Sequence, residues 1–211
     1  MFVAPPAETE AVRAHYQAAR ADDGYLMNLE RLWSWRLEVH EAFAAARRAL
    51  VERTSLSPRE RAVVVCATVS EMGDAYCSLA WGARLAREAG ADAAARVLAG
   101  EEPPALTDRE RELARWARRV VEDACTTTPA DVDSLRAAGL SEQEIVDATM
   151  LIGFRVAFST VNDALGARPD RELAEAAPPE VLRAVSFGRP VDGAPLPRDV
   201  DSAASPPRWH R

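Results

Sequence analysis

The sequence predicts an all-α protein. Its hydrophobic residues, 48% of the chain, are dominated by Ala, Val and Leu, with aromatics only 6%. Ala and Leu lose little side-chain freedom in a helix. Helix start signals recur along the chain, and no alternating strand pattern competes with them.

The elements follow in order. Residues 1–6 read as a frayed terminus, and a short helix is expected over 7–21, ended by Asp22-Asp23-Gly24. Leu29, Leu32, Trp33, Arg36, Leu37, Val39, His40 and Phe43 have helical spacing and predict one helix over 29–51 with a broad apolar face. Trp33 and Trp35 lie about 160° apart on it at ~100° per residue, so they cannot face one core and one is available for a subunit interface. His40, on or beside the apolar face, fits a core or interface histidine; a catalytic base is the alternative.

Ser57-Pro58-Arg59-Glu60 combines an N-cap Ser, Pro at the first position and Glu at the third. The helix it opens, 59–72, is apolar through its middle and should be central. Gly73 interrupts it. A second helix is expected from Asp74 or Ala75 to Glu88, capped by Gly90, then a short helix over 92–98 and a loop over 101–106. Thr107, Thr128 and Ser141, each with an acid three residues on, open helices running to Asp123, Gly139 and Leu165. Two weak helices, 171–176 and 180–185, precede a Pro-, Asp- and Ser-containing tail. The expected organisation is an N-terminal arm (1–23), a helical domain (24–185) and a tail (186–211), disordered or draped on a neighbour.

Composition excludes several classes. All 26 basic residues are Arg, which removes lysine Schiff-base chemistry and suggests a high-GC bacterial genome. A net charge of -7 argues against a nucleic-acid partner. Three separated cysteines are no disulfide framework. There is no signal-peptide pattern, and no apolar run approaches the ~20 residues that cross a bilayer, so a cytoplasmic protein without a membrane partner is expected. No cofactor or metal is expected.

The break between the two buried helices places Asp74, Cys77 and Trp81 in a row. Asp74 fits as an N-cap, accepting from the amide of Tyr76 or Cys77. Cys77, in the first turn, is where a thiolate is stabilised and its pKa lowered. Trp81 is one turn on, and Glu71 precedes the break with a further carboxylate. The alternative is structural: a packed cysteine, a capping acid and a core aromatic.

The run LSPRERAVVVCATVSEMGDAYCSLAWGARLAREAG resembles the core of the carboxymuconolactone decarboxylase/AhpD-like superfamily. The block AGLSEQEIVDATMLIGFRVAFSTVNDALG and the Tyr25-Leu26-Met27-Asn28-Leu29 stretch are similar to its peroxidase-related branch. The resemblance spans roughly 24–185. It implies six to eight helices interlocked in a homo-oligomer (dimer, trimer or hexamer). Redox-active members use a CxxC pair with a Glu and a His as proton relay. Matched to that pattern, the second Cys is Cys77, preceded by Tyr76, but the first Cys is Asp74, the His is Trp81 and the Glu is Ala62. The decarboxylase branch looks for Glu and His where Cys77 and Trp81 stand.

Both known chemistries therefore lack residues. The sequence favours a repurposed enzyme acting on a small organic molecule in a bacterial, even specialised-metabolite, pathway. Its candidate catalytic residues are Cys77, Asp74 and Glu71, with Trp81, Tyr76, Ala62, Met72 and His40 lining the pocket. The alternatives are a catalytically lapsed oligomeric scaffold and a one-cysteine alkylhydroperoxidase using Cys77. Asp74 beside Cys77 opposes the last of these.

Overall fold

A computed structural model describes residues 1–194. These form eleven α-helical segments, eight of them seven residues or longer, and no strand. They are α1 (Glu10–Asp23), α2 (Asn28–Trp33), α3 (Leu37–Arg53), α4 (Pro58–Met72), α5 (Ala75–Ala89), α6 (Ala91–Leu98), α7 (Asp108–Asp123), α8 (Pro129–Ala137), α9 (Glu142–Ala164), α10 (Arg171–Ala176) and α11 (Pro179–Ala184). None is long and apolar enough to cross a membrane.

The central element is α4. Every residue from Ala62 to Val69 is fully buried, so the helix is apolar on all sides. It packs against α5, α6, α7 and α9. Each of its buried valines contributes about 1.5–3 kcal/mol of burial free energy. Its one buried hydroxyl, Thr68 Oγ1, donates to the Val64 carbonyl at 2.8 Å and leaves no polar group unpaired.

The predicted start signals of α4, α7, α8 and α9 all form capping boxes. Three of them are also tied together. The capping acids Glu60 and Glu144 both pair with Arg109 at 2.8 and 2.9 Å, and Glu110 pairs with Arg59 at 2.6 Å. The Ser141 amide, with help from Arg109, holds the Glu144 carboxyl down at about 2. These ties fix α4, α7 and α9 in one bundle.

One expectation is corrected here. The helix over 29–51 is two helices, separated by a 3-10 turn at Ser34–Arg36, because Arg36 leaves the helical region at φ -144°, ψ 67°. Trp33 is buried against Asn162 and Phe158 while Trp35 is 55% exposed. The helix α3 that follows buries no residue at all.

Residues 186–194 lie against their own chain. The Arg168 guanidinium donates to the carbonyls of Pro190, Val191 and Ala194. Gly188, at φ +70°, sits directly on the Gly73 carbonyl and the Ala75 amide, so this strap covers the break between α4 and α5. The remainder of the expected tail, 195–211, lies outside the described residues.

Candidate functional site

The α4–α5 break is built as its sequence suggests. Gly73 takes the left-handed conformation, φ 73°, which ends α4. Asp74 then caps α5, its Oδ1 accepting from the Cys77 amide at 2.9 Å. Asp74 is fully buried, and its second oxygen, Oδ2, has no partner.

Cys77 is 3% exposed. The position at a helix N-terminus does not lower its pKa. Burial pushes the thiol up to about 12, Asp74 adds to the shift, and Arg155 only partly offsets it. The helix field falls off within a turn and is outweighed by desolvation beside a carboxylate. Arg155 comes from α9, is 4% exposed, and donates from Nη1 to Cys77 Sγ at 3.4 Å. Its Nε is unpaired, as are the buried Ser159 and Ser78 hydroxyls and Asn162 Nδ2. Five buried polar groups of α5, its cap and α9 thus carry unsatisfied atoms, where native cores leave few.

Around this cluster lies positive charge. The guanidinium carbons of Arg84 and Arg155 stand 5.1 and 5.2 Å from the Trp81 ring centre. Arg47 of α3 is exposed and close enough for its charge to act on Arg155, Arg84 and Cys77. Crowding by protein, then the charge of Arg155, hold its guanidinium below the usual range. Among the described residues, no ion pair includes Arg47, Arg84 or Arg155. A buried guanidinium without a carboxylate is costly to keep.

The remaining predicted residues are dispersed. Ala62 is core. Tyr76 turns the other way, packing with Leu29, Leu32 and Trp33 and donating to Asp170 Oδ2. Glu71 and Met72 line a separate cavity of about 1440 Å³ between α7, α8 and α9, which none of Asp74, Cys77 and Trp81 lines. Asp163 also lines it; burial, then Asp74, push its carboxyl up to about 7, while Arg189 pulls it down. His40 stacks on Trp33 at 5.2 Å, and its Nδ1 lies 3.8 Å from Glu30; burial lowers its pKa. Arg155, Ser159 and Asn162 were not foreseen. Arg155 did carry a signal, as a lone charge inside the apolar run 151–158.

No protein-family model and no curated protein matches the chain. Solved structures do. The AhpD-core, peroxidase-related protein from Ralstonia eutropha JMP134 superposes with a TM-score of 0.70 at 23% identity, covering 82% of this chain and 93% of that one. The chain has the AhpD-like fold. A peroxidase-related protein from Silicibacter sp. TM1040 gives 0.71 at 20% identity, over 82% and 91% of the two chains. The debrominase Bmp8, as a cysteine-to-alanine variant in complex with 2,3,4-tribromopyrrole, gives 0.68 at 12% identity, over 83% and 95%. The AhpD-like fold here carries three cysteines, none disulfide-bonded: Cys66 and Cys77 buried, Cys125 exposed.

Proposed function

We propose that this chain is a repurposed enzyme of the AhpD-like fold that shifts a proton within a small organic anion. One observation carries the reading: Arg155, buried and unpaired by any carboxylate, touches both the Cys77 sulfur and the Trp81 ring. A substrate anion supplies the missing negative charge. Trp81 offers a wall for a planar body, and the exposed Arg47 and Arg84 stand on its solvent side.

The chemistry follows from the two acids. Asp74 Oδ2 accepts a proton from the substrate, and the Cys77 thiol gives one to a second basic atom of it. The resulting thiolate faces Arg155 and takes the proton back from Asp74. Substrate mass is unchanged and the site is reset. A thiol pushed up to about 12 stays protonated at neutral pH, so the proton it gives must be drawn out by a strongly basic substrate atom, and it opposes a one-cysteine peroxidase, which needs a thiolate. The debrominase bound to a bromopyrrole supports the fold as a host for small planar molecules. The Lys-free, Arg-rich composition supports a bacterial setting. The apolar faces of α3 and α9 support a homo-oligomer.

A lapsed scaffold is the second reading. It is favoured by the closure of the cluster, where Asp74, Cys77 and Arg155 are each 4% exposed or less. Tryptophan fluorescence titrated with benzoate and pyrrole-2-carboxylate separates the two. The enzyme reading expects saturable quenching that is lost in Arg155→Met and kept in Cys77→Ser. It also expects wild type, and not Cys77→Ser, to exchange substrate protons with D2O. No saturable binding, or equal binding of the uncharged benzamide, returns the chain to the scaffold reading.

A further inference from the structure

The chain has three histidines, and two of them converge on one carboxylate. His15 is on α1, Glu30 on α2 and His40 on α3. His15 Nε2 lies 2.7 Å from Glu30 Oε2, and His40 Nδ1 lies 3.8 Å from the same oxygen. The three ligand atoms all fall within 4.8 Å of one another. Their side chains are 15–20% exposed, sheltered yet reachable.

We propose that His15, Glu30 and His40 form a divalent transition-metal site, of the zinc class, that staples α1 and α3 to α2. Two imidazoles and a carboxylate are a common donor set for zinc, with a fourth position left to water. Zinc bonds of 2.0–2.2 Å set neighbouring ligand atoms roughly 3.3 Å apart in a tetrahedron. The observed 2.7 and 3.8 Å bracket that value, so side-chain shifts of well under a turn of backbone close the site. On binding, the proton shared between His15 and Glu30 leaves to solvent and the metal takes its place.

The surroundings agree. Trp33 stacks on the His40 ring at 5.2 Å and limits its rotation, and the His15 and His40 rings meet edge to face at 5.7 Å. Asp23 adds a second carboxylate nearby. The charges of Asp23 and Glu30 interact across this locale. The staple also has mechanical sense. The helix α3 buries no residue, and α1 rests on the small cluster of Val12, Tyr16, Ala19 and Leu26. A metal tying these two thinly packed helices to α2, which is anchored by Leu29, Leu32 and Trp33, supplements the small core they have.

The test is calorimetric titration of the full chain with Zn2+, with the visible spectrum of Co2+ as a second probe. One ion per chain is expected, with a tetrahedral Co2+ band, quenching of tryptophan fluorescence by Co2+ and a raised Tm. His15→Ala and His40→Ala should each weaken binding more than about tenfold. His210→Ala should bind as wild type does. Glu30→Gln keeps the size and an oxygen acceptor, and it reads the site if a histidine variant fails to fold. Absence of stoichiometric binding, or equal affinity in Glu30→Gln and the foldable histidine variants, overturns the site, as does loss of binding in His210→Ala.

Discussion

At the scale of the residue, Cys77 is a thiol held protonated. Its folded pKa, pushed from the ordinary 9.0 to about 12, implies a pH dependence with a definite sign. Below pH 9 the folded and unfolded chains both keep the proton, and the contribution to stability is fully present. Between about 9 and 12 only the unfolded chain gives it up, so stability falls by up to ~1.4 kcal/mol per pH unit. Cys66, pushed up by burial, acts in the same direction. Cys77→Ala should therefore remove about half of the cysteine-dependent alkaline loss seen in urea unfolding at pH 8 and 10. Iodoacetamide at pH 8 should modify the exposed Cys125 alone, with Cys66 and Cys77 reacting only in denaturant. Rapid adduct formation at Cys77 in the native chain would sink this account. The Asp74–Cys77–Trp81 row was legible because local helix spacing places it. Its α9 partners, 78 to 88 residues away from Cys77 and Asp74 in sequence, depend on a tertiary crossing that periodicity does not encode.

At the scale of the element, the strap over 186–194 decides how closed the site is. Gly188 is held at φ +70°, and a Cβ there would meet the Ala75 amide at 2.9 Å as well as the Gly73 carbonyl. Backbone cannot swing aside as a side chain can, and left-handed φ is strained for other residues. Gly188→Ala should lift the strap from the α4–α5 break while leaving the bundle folded. Hydrogen exchange should show faster amides around Ala75–Cys77 and unchanged protection within α4. Unchanged exchange at the break would mean that the strap is no cover. The capping boxes were legible because a cap needs only four consecutive residues. The turn at Ser34–Arg36 was not, since no Gly or Pro marks it and the helical period runs straight through. The strap was likewise not legible, because Arg168 and the break that hold it are far from it in sequence.

At the scale of the whole molecule, one side remains apolar. Val39 on α3 and Val146 and Met150 on α9 are 51–53% exposed, and Trp35 precedes them at the α2–α3 turn. The two helices are joined by Phe43, edge-on to Phe154 and stacked on Phe158. A 17-residue helix without one buried side chain is unusual in a monomer, because helices in proteins are held mainly by tertiary packing. The face that packs on nothing within the chain fits a second copy. Sedimentation should therefore give a multiple of 23.0 kDa. Val39→Glu and Met150→Glu each place a charge in that contact. Each forfeits about 2–3 kcal/mol of apolar burial, an association weaker by roughly thirtyfold to 150-fold. A 23.0 kDa species at tens of micromolar, or variants that associate as wild type does, would instead leave α3 as a helix held by its own chain alone. Arg47 lies on this same helix, so an assembly that fixes α3 also fixes the solvent side of the candidate site. Loss of association in Val39→Glu should then weaken benzoate binding as well, although Val39 is not among the residues that build the site.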